Sequence, residues 1–365
     1  MPFRRTVSPR LVTTALAAAV VGASLQLIGC GSDSPADQKQ QVASAMQTSM
    51  KGDLTDLWQA SIDLQAAAPL PAGRGWDPTL DAAAIAAMKA AWVRARAAYE
   101  HVEGATAPIF SDVDISIDER YDGFLATLGA AGDPDPFDGV GVTGMHAVER
   151  ILYADVIPAN VVAFEATIPG YAPAAFPATD VQAAAFKNAL CAKLVADAKY
   201  LLDQWTPQQI DVDGAFTGLV GLMNEQQEKV NKAASGEEES RYSQRTMADL
   251  RANLDGTRKI YDLFSGWLKS KPATTMVPSS GAQIDASIQT GFTSLGGVYA
   301  TIAGDAIPAP PRTWAAENPS AADLMTPFGM LYEAVHDAVD PTMPGSVAYQ
   351  MNQGATLLDI PVFAE

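Results

Sequence analysis

Histidine and cysteine are scarce in this chain of 365 residues. It has two cysteines and three histidines, His101, His146 and His336. Cys30 closes an N-terminal apolar run, so Cys191 is the one thiol left in the body of the chain, and a single thiol makes no intramolecular disulfide. Its neighbours Ala189, Leu190 and Ala192 place it in an apolar helical pattern, which reads as core packing. Basic residues are also in short supply: 24 Lys and Arg stand against 42 Asp and Glu, a formal charge of −18. Residues 1–29 hold three arginines and no acid, so the remainder carries −21. Such a surface repels nucleic acid and anionic lipid and attracts cations. β-branched runs are few, which leaves no strand-rich domain. The zinc-peptidase string His-Glu-x-x-His does not occur, and no Ser-His-Asp set is suggested.

Long hydrophobic runs are limited to one. Arg4, Arg5 and Arg10 precede an uncharged stretch from Leu11 to Ile28, short for a membrane-spanning helix. It ends in Leu27-Ile28-Gly29-Cys30, which resembles the bacterial lipobox. Residues 1–29 therefore read as a lipoprotein signal peptide, Cys30 as the lipidated first residue of the mature chain, and residues 30–38 as a tether. The expected location is the cell envelope, on a lipid anchor that faces the periplasm or the cell surface.

The rest is alanine-rich with helical apolar spacing, as in 40–67, 80–102, 181–205, 208–234, 239–268, 284–302 and 321–339. Pro- and Gly-rich stretches separate these segments. The pattern predicts an all-α protein of antiparallel helical bundles. One region spans 39–270; a C-terminal region, 282–365, completes a second bundle, with the proline-rich stretch at 271–281 as the seam. The irregular, proline-rich insertion at 157–179 reads as a lid or as a packed surface loop.

Gly144-Met145-His146-Ala147-Val148-Glu149 carries the strongest chemical signal. Residues i and i+3 share a helix face, so one imidazole nitrogen and one carboxylate can converge on a single ion. Glu100 and Glu103 repeat that spacing on an earlier helix.

Four motifs follow one another in the chain. Ala95-Arg96-x-x-Tyr99-Glu100-x-x-Glu103 comes first, then Phe110-x-Asp112-x-Asp114-x-x-Ile117-Asp118-x-Arg120, then Gly144-x-His146-x-x-Glu149. A Gly236-Glu237-Glu238 run leads through Tyr242-Ser243 to Asn253-x-Asp255-Gly256. In this order they resemble the imelysin-like family, and within it the EfeO/EfeM branch of bacterial iron-uptake proteins, in its form without a cupredoxin-like domain. The resemblance spans about residues 40 to 360, loosely in the last quarter. The family's His-Thr-Asp after Tyr-Ser is replaced here by Gln244-Arg245-Thr246.

The resemblance implies two four-helix bundles with the His-Glu pair facing a cleft, and a metal set of His146 and Glu149 with Glu100, Glu103 and Glu225. An imidazole with carboxylates suits iron, as Fe2+ or Fe3+, or zinc. Asp118 reads as a partner of Arg120, Glu237 to Glu239 as acids at a helix start, Asp249 and Asp255 as residues that fix a loop, His336 as a structural histidine sharing a face with Glu333, and His101 as exposed. The expected role is extracytoplasmic capture of iron for a membrane permease. The alternatives are an imelysin-type metal-dependent peptidase, or a surface lipoprotein that binds a cation with an acidic polysaccharide.

Overall fold

A computed structural model describes residues 34–361 apart from residue 71. The expected signal peptide, 1–29, and the expected lipidation site, Cys30, lie outside the described residues. Among the described residues there are helices and no strands. None of these helices is long and apolar enough to cross a membrane.

The chain opens on α1 (Pro35–Ala67), α2 (Ala82–Glu100) and the single turn α3 (Glu103–Thr106). Next come α4 (Ser111–Asp118), α5 (Tyr121–Leu128), α6 (Gly144–Leu152) and α7 (Ala159–Glu165). α8 (Asp180–Ala185) runs through a π turn at Phe186–Leu190 into α9 (Cys191–Gln204). Long helices α10 (Val212–Lys232), α11 (Thr246–Lys269) and α12 (Gly281–Thr301) follow, then α13 (Ala321–Leu324), α14 (Pro327–Val339) and α15 (Val347–Leu358).

The expected tether, 30–38, overlaps α1, which already starts at Pro35. Ser34 accepts from the Asp37 amide at 3.2 Å, Asp37 accepts back from the Ser34 amide at 3.1 Å, and Pro35 presets the first helical φ. α1 buries Val42, Met46, Met50, Leu54, Leu57 and Leu64, a stripe at spacings of three and four that packs on α2 and α9. α10 and α11 pack on the helices beyond the proline-rich stretch: α11 on α12, and α10 on α14 and α15. α11 also touches α1 and α2, so one contiguous apolar core joins the two helix groups.

α6 sits between α2, α4 and α9, and all nine of its residues are buried. A helix buried all round must pair every charge it carries, and this one carries His146, Glu149 and Arg150. Its start is fixed by backbone contact. The indole N–H of Trp92 donates to the Met145 carbonyl at 3.0 Å, and Thr143 Oγ1 donates to the Ser116 carbonyl at 3.1 Å. Gly144 has φ +80°, and a Cβ there would lie 2.3 Å from the Ile117 carbonyl oxygen. Only glycine lets α6 begin against the end of α4, which puts His146 beside Asp118.

Gly144→Ala is therefore expected to cost about 2 kcal/mol or more, from left-handed strain plus the clash with Ile117. Urea unfolding measures this; an unchanged midpoint would contradict the close approach.

Candidate metal centre

His146 is 1% exposed and has carboxylates at both ring nitrogens. Nδ1 lies 3.1 Å from Glu149 Oε2. Nε2 lies 3.2 Å from Glu239 Oε1 and 3.5 Å from Asp118 Oδ1. Glu149 is held in turn by the Ser243 amide, which donates to Oε1 at 2.7 Å. Asp118, His146 and Glu239 each present one ligand atom within 4.8 Å of the others. Glu100, Glu103 and Asp118 form a second such group, so Asp118 is common to both.

Two buried cations hold these acids together. Arg96 contacts Asp118 and Glu100, lies 3.0 Å from Glu239, and places Nε 3.6 Å from Asp249. Lys229 Nζ is 3.6 Å from Glu100, 3.6 Å from Glu103 and 3.8 Å from Glu239. Asn253 accepts from Lys229 at 2.9 Å and donates to the Glu100 carbonyl and to Glu103 Oε2, at 3.1 and 2.9 Å. α11 comes this close because Gly256 lies against the His101 backbone, where a Cβ would be 2.4 Å from the carbonyl oxygen. No hydrogen bond reaches either oxygen of the fully buried Glu100 carboxylate, whose charge neighbours are Arg96 and Lys229.

Burial and the Arg96 charge disfavour the imidazolium, but hydrogen bonds to Glu149 and Glu239 and the charge of Asp118 outweigh them and lift His146 to about 9. Burial raises Asp118 to about 7 despite Arg96 and His146. Glu239 is the opposite case. Burial penalises its charge, yet Lys229, His146, Arg96 and Arg120 hold it well below the usual carboxylate range. A cleft of about 310 Å³ reaches Asp118 and Glu239 from solvent, with Glu103, Asp114, Glu225 and Glu228 also in its walls.

The profile of the imelysin family, grouped with the M75 peptidases, matches residues 38–323. The chain belongs to the imelysin family. It is also similar to the iron uptake system component EfeM of Pseudomonas syringae pv. syringae (strain B728a), at 27% identity over 203 residues, 55% of this chain. The match spans 57% of that relative, somewhat over half its length. An imelysin-like protein of known crystal structure, from Psychrobacter arcticum 273-4, has the same fold. The TM-score is 0.58 at 14% identity, covering 91% of this chain and 99% of the other.

The imelysin motifs do meet at one place, with a different division of roles from the one their spacing predicts. His146 and Glu149 touch, but Glu149 binds Nδ1, so the two side chains do not aim at a common point. Glu149 orients the ring, as outer carboxylates of metal-ligating histidines do. Glu100 and Glu103 stand beside Asp118 in the second group. Glu225 is exposed at the cleft wall.

Several expectations are corrected. Asp118 pairs with Arg96, while Arg120 reaches Glu228 at 3.3 Å and Glu239 at 3.8 Å. Residues 237–245 form turns, and α11 begins only at Thr246, so Glu239 starts no helix and is a buried hub. Asp249 and Asp255 lie on α11, not in a loop. His101 is half-buried, with Nδ1 3.4 Å from Asp53. His336 is exposed and stacks on Tyr332. Cys191 is fully buried and burial pushes its thiol up, in keeping with a packing role. Gln244, where the family often has histidine, takes φ +56° and donates to Glu238 Oε1 at 2.7 Å.

His146 and Asp118 bind their protons more tightly folded than unfolded. The stability they confer is complete at low pH and is lost as pH rises through their folded values, about 7 for Asp118 and about 9 for His146. Glu239 acts oppositely, losing its contribution only in acid, below the ordinary carboxylate range. Metal-free protein should therefore lose stability from about pH 4.5, first through Asp118 and then through His146, up to about pH 9. Urea midpoints in chelator measure this; a flat or rising profile would contradict the raised values.

Proposed function

We propose that this protein is an extracytoplasmic, lipid-anchored protein that captures an iron ion and passes it to a membrane permease. One observation carries the reading: Asp118 and Glu239, which line the cleft, converge on the buried His146 Nε2 behind them, while Glu149 holds the opposite ring nitrogen. One imidazole with several carboxylate oxygens suits iron, and zinc less selectively. The relation to EfeM, an iron uptake system component, supports iron as the cargo. The acids of the cleft wall favour cation entry.

The metal-free site is balanced by Arg96, Lys229 and protonated His146. An entering ion replaces the His146 proton and takes over the Arg96 contacts to Asp118 and Glu239. Binding therefore releases protons and strengthens as pH rises. Glu100 lies one step behind and Glu103 in the cleft wall, and Lys229 pairs with both. The lipobox at Cys30 supports anchoring to the envelope, and Cys30→Ser should move the protein from the membrane to the soluble fraction. Recovery of that variant in membranes would contradict the anchor.

Titration of the purified mature protein with Fe2+, Fe3+ and Zn2+ is expected to show about one tight site. His146→Ala and Glu239→Gln should weaken it by about 100-fold or more, and Glu149→Gln by about 10- to 100-fold. Binding by His146→Ala equal to that of the natural protein would overturn the assignment.

A further inference from the structure

The insertion at 157–179 contributes nothing to the candidate metal set, yet it buries a charge. Glu165, at the end of α7, is 1% exposed. Its Oε2 lies 3.1 Å from Arg150 Nε and 3.0 Å from Arg150 Nη2. Its Oε1 accepts the hydroxyl of Tyr242. Arg150 follows Glu149 on α6, and it also donates to the Ala172 carbonyl at 2.5 Å, which ties down the far part of the insertion. The insertion is thus a packed segment pinned to α6.

Tyr242 belongs to the turn segment 237–245 that supplies Glu239 and the Ser243 amide. That segment has no helical hydrogen-bond ladder to fix its register, and it passes through a left-handed Gln244. A ligand on such a segment needs an external fixed point. A buried ion pair with a third hydrogen-bond partner supplies geometry more than stability. Three contacts then hold the turn, two against α6, Ser243 to Glu149 and Glu239 to His146, and one against the end of α7, Tyr242 to Glu165.

We propose that Glu165 is a positioning residue for the metal site. Acting through Tyr242, it sets the turn so that Glu239 faces His146 Nε2 and the Ser243 amide reaches Glu149. Glu165 itself does not touch the ion. This rests on the metal reading of Asp118, His146 and Glu239.

The test uses Co2+ as a spectroscopic probe on the mature protein. Tyr242→Phe is expected to weaken Co2+ binding by about 10-fold or more. It should also shift the d–d absorption and speed exchange of the Ser243 amide in metal-free protein. Arg150→Met with Glu165→Met, an apolar pair of similar volume, should show the same signature if Tyr242→Phe folds poorly. Tyr261→Phe is the control. It loses a buried hydroxyl bond to Asp285 of 3.0 Å on a distant face and should leave affinity and spectrum unchanged. Natural affinity and spectrum in Tyr242→Phe, or equal changes in Tyr261→Phe, would overturn the role of Glu165. Absence of Co2+ binding by the unaltered protein would overturn the metal reading and this inference together, whereas the first two results leave the metal reading standing.

Discussion

Everything at the centre of this molecule depends on a buried histidine ring with a carboxylate at each nitrogen. Charges inside a helical protein are costly unless each has a partner of opposite sign. Here the partners come from seven separate elements: α2, α3, α4, α6, α10, α11 and the turn before α11. Arg96 and Lys229 are the counter-charges that let so many acids share one interior. The same compensation explains why the protons sit where they do. Glu239, ringed by cations, stays ionised, while Asp118 and His146 hold protons that an ion can replace.

Backbone approach makes the cluster reachable. Gly144 lets α6 start against α4, and Gly256 lets α11 pass the end of α2. Each contact is made by main chain, so each fixes helix position more tightly than side-chain packing alone would. The side chains then need little freedom to meet. What is not helical, the 237–245 turn, is held by its polar contacts to α6 and to the insertion.

Much of this was legible in the sequence, and the gaps have physical causes. Helical periodicity located the long helices, and the glycine-histidine-glutamate spacing located α6, because both are local properties of the chain. A run of glutamates looks the same at a helix start as in a buried turn, so Glu237 to Glu239 read as a helix start although they precede α11. Glu239 meets His146 from 93 residues further along the chain, a distance no spacing rule spans. The i,i+3 spacing brings His146 and Glu149 together but predicts convergence on one point, whereas Glu149 sits on Nδ1 itself, because spacing alone does not say which atoms face outward. Asp118 reads as a partner of the nearby Arg120, whereas Arg96 reaches it from α2, which like α4 packs on α6. The capped start of α1 was overlooked because Ser34-Pro35 reads as linker until Asp37 is counted with it.

A site built this way suits temporary possession of a cation. On the proposed reading arginine, lysine and a proton stand in for the ion until it enters through the acidic cleft. X-ray absorption spectroscopy of the iron-loaded protein tests the central claim most directly. The account predicts an oxygen-rich shell with a single imidazole, lost in His146→Ala. A shell of oxygens alone, unchanged in that variant, would contradict it.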